Sequence, residues 1–533
     1  MAPFEEALLL LLLITVFSVF ARWAPWPVPI SFVLGGVALA FCPGFPHLEL
    51  RPDLFFVVFL PPLLFADGWL MPLREFFRFR RPIAMLATGL VVFTTLGIGF
   101  VAHALLPLLP LPMCFALGAV VSPTDAVAVS AITEKLKVPT RLRIILSGES
   151  LMNDATGLTG FRFALAAVSG SFSVGHAISS FLILAVGGIA VGLAVAYVIG
   201  KLRDWLIRFK TTDSLVEITI SLLTPYAAYL VAEHLHYFSE ILAVVAAGLY
   251  SGWRDPVRMD AETRQTTWTI WSTLLFWLNS LAFLLLGLQF PHLLRAVSGS
   301  YTIPQLLAAV TAIAGAAIVL RIVWFFPGAY SPFLLKSVRA SEERPPWQLI
   351  LVGSWAGMRG TVTLAAALSI PATLDSGAPF PGRDLVIFLA FGVIAVTLLL
   401  QGTTMAWLIR KLGVRESETL HQEEQLARST AVRAGLAALQ EIARGPLTPE
   451  ERAAIGHIVA EYEARLSELE SEGEAGSHAR GRRAADLRFR FAALEAERKA
   501  VDALWQEEKI NDEVHRPLQA LLDHEEAMLR VSW

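Results

Sequence analysis

Residues 111–133 read LPMCFALGAVVSPTDAVAVSAIT, an apolar run of membrane-spanning length broken in its middle by Ser122-Pro123-Thr124-Asp125. Proline removes a backbone donor and clashes with the preceding turn, so the helix is expected to open there and free carbonyl oxygens. The next apolar run, 144–168, carries the polar string GESLMNDAT at 148–156, which sets Glu149, Ser150, Asn153 and Asp154 inside a second span. Ionisable groups in hydrocarbon are costly, so each needs a reason to be there.

Apolar runs recur on both sides of this pair, from Leu8 to Ile409. The 533 residues are 55% hydrophobic and only 17% charged, whereas a soluble chain of this length would carry more charge. We read an all-α polytopic membrane protein of thirteen spans, near 6–21, 27–42, 53–70, 83–107, 111–132, 144–168, 177–200, 213–233, 239–252, 268–290, 303–327, 348–370 and 384–409. Glu5 and Glu6 precede the first run, where a cleavable signal would want a basic start, so that run reads as a span. Two cysteines, Cys42 and Cys114, are too few for a disulfide framework or a metal cluster.

Loop charge sets the orientation. The loops after spans 1, 3, 5, 7, 9 and 11 carry 1, 4, 4, 4, 3 and 3 Lys/Arg, and those after spans 2, 4, 6, 8, 10 and 12 carry 1, 0, 0, 0, 1 and 1. Basic loops stay cytoplasmic. The N-terminus is therefore expected outside and the C-terminus inside, with a bacterial plasma membrane as the location. Thirteen also divides into six spans, a linker span and six inverted spans, which matches span 5 to span 12. Both look interrupted, the second by Gly353 and by Gly357-Met358-Arg359-Gly360. Matched breaks of this kind point to a transporter's binding site.

The intramembrane residues suggest the cargo. Ser150 and Asp154 share one helical stripe, and Glu149 and Asn153 share another. Glu149 and Asp154 are five apart, roughly 140° around the axis, so one can face an ion and the other a structural partner. Asp125, Ser150, Asp154 and freed carbonyls make a hard-oxygen site suited to Na⁺, Li⁺ or H⁺. A carboxylate is also a proton site, so cation and proton compete for the same oxygens. That is the minimal chemistry of an antiporter.

Glu149, Arg321 and Arg359 read as a structural ion-pair set, since Arg does not release its proton. Asp67, close to a span end, fits either a ligand or a structural role. Glu217, Glu233 and Glu240 read as structural, and Arg162 has no evident role. A K⁺/H⁺ antiporter is the nearest alternative. A cation channel would want rings of carbonyls or charges rather than one asymmetric pair of carboxylates. No enzymatic activity, cofactor or nucleic-acid partner is expected.

At these residues the chain resembles the cation–proton antiporter family, in its Na⁺/H⁺ exchanger branch. The likeness runs over about 50–415 and is carried by PPLLFADGW (61–69), SPTDA (122–126), GESLMNDAT (148–156), LTPYAAY (223–229), FLLLGLQ (283–289), WAGMRG (355–360) and Gln401-Gly402. The resemblance implies a homodimer with a dimerisation domain and a mobile core in which two unwound helices cross beside the ion. It implies that Asp154 is the principal ion and proton carboxylate, with Asn153 its partner. Asp125, Ser150 and the Thr124 backbone would complete the site, and Glu149 would pair with Arg321. The Asn-Asp order resembles the electroneutral branch. Two departures stand out: Asp67 where relatives place a Glu nearby, and Glu240 where they tend to have a small residue.

The last 118 residues change character. Residues 1–415 carry 28 Lys+Arg against 22 Asp+Glu, and 416–533 carry 15 against 24. Ile455, Ile458, Val459, Tyr462, Leu466 and Leu469 follow amphipathic helical spacing, with Thr448 as N-cap and Pro449 at N1. The run 471–474, with Gly476 and Gly481, reads as a linker before a second helix near 484–510. We expect a cytosolic helical tail.

Overall fold

The structure, a computed structural model, describes residues 3–24, 26–43, 45, 52–133, 136, 138–168, 170, 174–209, 213–334, 344–374, 377–414, 418–470, 474–507 and 509–531. It divides into two compact units, Met1–Glu416 and Ser417–Trp533.

The first unit is helical, as it must be if apolar segments are to satisfy their backbone groups without water. Its main helices are α1 Pro3–Trp23, α2 Val28–Ala40, α3 Pro52–Leu70, α4 Arg80–Leu105, α5 Leu111–Val121, α6 Ala126–Thr133, α7 Thr140–Val168, α8 Val174–Arg208, α9 Ser214–His234, α10 Glu240–Arg258, α11 Ala261–Leu288, α12 Ile303–Tyr330, α13 Trp347–Trp355, α14 Thr361–Leu368 and α15 Arg383–Leu412. All thirteen expected spans fall on helix, and spans 5 and 12 are each broken pairs, α5/α6 and α13/α14. By length and composition seven helices among the described residues are long and apolar enough to cross a bilayer, with α1, α2 and α5 as shorter apolar ones. The long α7 is not among the seven; it carries Arg141, Arg143, Glu149, Asp154 and Arg162.

Two large apolar clusters, beside a small third of Phe55, Ala282 and Ala365, organise this unit. One gathers residues of α4, α5, α12, α14 and α15, together with α2 and α11. The other gathers α3, α8, α9 and α10. Helix α7 contributes to both, with Leu142, Leu146 and Phe161 in the first and Ile144, Leu151 and Ala155 in the second. Lipid is as apolar as leucine, so helices in a bilayer associate through close backbone approach. Gly248 and Gly252 of α10 do this, lying on the carbonyls of Phe65 and Trp69 in α3, where any Cβ would collide.

A buried ion network joins α8, α9 and α10. Arg203 Nε donates to Glu217 Oε2 at 2.7 Å and Arg203 Nη1 to Asp255 Oδ1 at 2.7 Å. Arg203 is one of the four basic residues counted in the expected loop after span 7, Lys201, Arg203, Arg208 and Lys210, and that placement is corrected here. Helix α8 continues to Arg208, and Arg203 is only 3% exposed. Glu217 takes the structural role expected of it.

The second unit holds α16 Glu418–Ala443, α17 Pro449–Glu470, α18 Glu474–Gln506 and α19 Asp512–Val531. Tyr462 of α17 packs over Gly435 of α16, and Gln425 donates to the Leu469 carbonyl at 2.7 Å. The expected linker is corrected in part. Helix α18 starts at Glu474 and runs through Gly476 and Gly481, and 471–473 lie outside the described residues.

Thr448 caps α17 reciprocally with Glu451: Glu451 N donates to Thr448 Oγ1 at 3.2 Å, and Thr448 N to Glu451 Oε2 at 2.8 Å. Hydrogen bonds from the Thr448 backbone, then its hydroxyl, hold the Glu451 carboxyl below its ordinary value. A depressed carboxylate stabilises above its unfolded pKa, and that contribution is lost as pH falls through the folded value. Thr448→Ala should therefore speed amide exchange in the first turn of α17 near neutral pH. The difference from wild type should shrink as the pH falls through the acid range. A difference that persists undiminished in acid would refute the Glu451 carboxylate's part in the cap.

Candidate ion site

The two broken spans cross. Helix α5 ends at Val121 and α6 begins at Ala126, while α13 ends at Trp355 and α14 begins at Thr361. The extended segments between them bond to each other, the Asp125 amide donating to the Met358 carbonyl at 2.8 Å. Gly360 permits the approach, because a Cβ there would strike the Asp125 carboxylate. Gly353, part of the expected second break, instead lies inside α13. Asp125 Oδ1 accepts from the Val127 amide at 2.8 Å, which caps α6.

A break leaves the carbonyls at a helix C-terminus without partners. Arginines take them here. Arg359 Nε donates to the Val121 carbonyl at 2.9 Å, and its Nη1 to the Gly357 carbonyl. Arg321 Nη2 reaches the Gly353 and Ala356 carbonyls at 3.4 Å each. Each cation thus meets the negative end of a helix dipole.

Glu149 binds Arg321 through two parallel bonds, Nη1 to Oε1 and Nη2 to Oε2, the latter at 2.9 Å. Both side chains are almost fully buried, and the Arg321 guanidinium lies 4.7 Å from the Phe325 ring centroid. Arg359, grouped with this pair in the sequence reading, is not part of it. It bonds backbone carbonyls, because it stands where two helix ends need a donor.

The remaining polar groups converge on Thr124. Ser150 Oγ donates to the Thr124 carbonyl at 2.8 Å, Asn153 Nδ2 to Thr124 Oγ1 at 3.0 Å, and Thr124 Oγ1 to Glu149 Oε1 at 3.1 Å. Among the described residues this leaves Asn153 Oδ1 buried without a partner. One turn beyond Ser150, Asp154 is 8% exposed, and among the described residues no donor bonds its carboxylate. Asp154 feels the charges of Asp125 and Asp67.

A cavity of about 320 Å³ is lined by Asp67, Thr124, Asp125 and Ser150. It reaches Pro72, Thr133, Thr140 and Arg143, the helix ends where the basic loops attach. The structure thus gathers Asp67, Thr124, Asp125, Ser150, Asn153 and Asp154 into one region. Sequence reading missed the Arg162–Glu240 ion pair between α7 and α10. Its only signal was that both residues were anomalous: a cation without a role and an acid where relatives have a small residue.

A family profile described as sodium/hydrogen exchanger, transmembrane, matches residues 8–411. The chain is 35% identical over 539 residues to a protein of Bacillus pumilus named sodium, potassium, lithium and rubidium/H⁺ antiporter, covering 99% of this chain and 78% of that protein. It is 32% identical over 426 residues to the Na⁺/H⁺ antiporter ApNhaP of Aphanothece halophytica, covering 79% of this chain and 76% of the other. Among solved structures, the sodium proton antiporter MjNhaP1 of Methanocaldococcus jannaschii matches with a TM-score of 0.59 at 20% identity. That match spans 77% of this chain and 99% of the other, a likeness of fold.

Proposed function

We infer a one-site mechanism for this chain, which belongs to the sodium/hydrogen exchanger family and exchanges a monovalent cation for protons across a membrane. Asp154 carries the cation or the proton, never both, and Asp125 helps to hold the cation. The observation that carries this reading is the Asp154 carboxylate itself, buried and with no donor among the described residues. A bare buried anion is too costly to persist. It needs a proton or a cation at every stage, and that requirement couples the two flows.

The cation's other proposed ligands are the Thr124 carbonyl, Ser150 Oγ and Asn153 Oδ1, the last without a partner among the described residues. Asp67 supplies further negative charge from α3. Na⁺ or Li⁺ is the proposed cargo. K⁺ is the second reading, favoured by the printed specificity of the Bacillus pumilus relative. The site opens alternately to each side, and the state seen here opens on the basic-loop side, the proposed cytoplasmic face. The N-terminus then lies outside a bacterial plasma membrane. We further propose a homodimer, the assembly that the resemblance implies. The cycle makes no covalent bond and calls for no cofactor.

Cation-induced dissipation of a pH gradient in proteoliposomes, compared across Li⁺, Na⁺ and K⁺, tests the function. No response to any of the three would overturn it. Because Asn153 is neutral, one proton should exchange per cation. Rates should then be indifferent to a potential that is otherwise worth about 2.3 kcal/mol per charge per 100 mV. A rate that follows an imposed K⁺–valinomycin potential refutes electroneutral exchange.

A further inference from the structure

Arg162 of α7 donates to Oε1 of Glu240, the first residue of α10. The pair lies at the far end of α7 from the cavity. The cavity residues Thr140, Arg143, Ser147 and Ser150 climb one stripe of α7. Side chains three and four apart share a face, so the stripe continues through Asp154 and Leu158 to Arg162. Eight residues separate Asp154 from Arg162, about 12 Å along the axis. Leu158, between them on that stripe, packs against both apolar clusters. Glu240 belongs to the cluster of α3, α8, α9 and α10, since α10 is bound to α3 through Gly248 and Gly252 and to α8 through Asp255. Tyr229 of α9 stands within electrostatic reach of both members of the pair and of Glu233.

We propose that the Arg162–Glu240 pair is the outer gate of the transport pathway. It closes the side opposite the cavity and parts when the site turns outward. The proposal rests on the alternating-access reading above. Its physical basis is threefold. The pair ties α7, which carries Ser150 and Asp154 of the site, to the first residue of α10. Closed, it places a guanidinium on the cation's exit route, which repels cations. The Arg162 side chain is 56% exposed and that of Glu240 15%, so parting them leaves neither as a fully buried unpaired charge. The fully buried Glu149–Arg321 pair is unsuited to parting.

The test uses the full chain with Cys42 and Cys114 replaced by serine and Ser147→Cys as reporter. A membrane-impermeant thiol reagent is applied from the basic-loop side, and labelling is normalised to denatured protein. Arg162→Glu opposes two carboxylates at the gate and should cut labelling by roughly threefold or more as the population shifts outward. The double swap Arg162→Glu with Glu240→Arg should restore it. Arg162→Gln and Glu240→Gln serve, with a smaller shift, if the reversed charges prevent folding. Wild-type labelling in every single variant, or a double swap no better than the single, overturns the proposal. Labelling needs no ion flux, so a failure here is separable from a failure of exchange in the proteoliposomes.

Discussion

Asp154→Asn should fold, reach the membrane and exchange nothing. Asparagine keeps the size of the side chain but has neither a charge for a cation nor a carboxylate for a proton. The neutral amide also relieves the buried negative charge beside Asp125 and Asp67, so stability should hold or rise. Cation-driven proton flux should fall to that of empty liposomes. In the wild type the same logic fixes the pH response. If one carboxylate takes either partner, low pH inhibits by competition, and each tenfold rise in cation should move the acid limb down by about one pH unit. Asp125→Asn should chiefly raise the cation concentration needed for half-maximal rate. A folded Asp154→Asn protein that still exchanges, or an acid limb fixed at every cation concentration, would sink the one-site mechanism.

Arg321→Ala should be the most destabilising single change in the membrane unit. It strips Glu149 of both bonds and leaves a buried carboxylate that retains only the Thr124 hydroxyl. Breaking a buried pair from one side costs about 3–5 kcal/mol in soluble proteins. It also removes the donor to the Gly353 and Ala356 carbonyls at the end of α13. Glu149→Gln should cost less, because the amide oxygen still accepts from Arg321. Arg321→Lys should not rescue fully, since an ammonium cannot make the two parallel bonds. Thermal melting of the detergent-purified protein reads all three. An Arg321→Ala protein that melts with the wild type would show that the pair contributes nothing to holding α7 against α12.

The sequence made the site residues legible because membrane burial is unforgiving. A charge inside an apolar run is rare enough to stand out by itself, so Asp125, Glu149, Asp154 and Arg321 could be named with no structure in view. The breaks at Pro123 and at Gly357–Gly360 were legible for the same reason, since few residue types open a helix in lipid. Arg203 was misassigned because a span's edge is set by hydropathy, which a buried ion pair can extend without changing the composition of the run. Arg359 was misassigned because its partners are backbone carbonyls, which carry no mark in a sequence.

The sequence by itself thus determined the class of the protein, its helical character, the candidate orientation and the candidate ion-site carboxylates. All of these follow from the cost of placing polar groups in hydrocarbon, a property of each segment alone. Tertiary structure alone decided which charges meet. Glu149 and Arg321 are 172 positions apart and Arg162 and Glu240 are 78 apart, so each pairing depends on how helices pack. It also decided which helix ends an arginine satisfies and which side of the site lies open. Helical periodicity fixes where a side chain points around its own axis, but the neighbour it meets there is set by the packing of other helices.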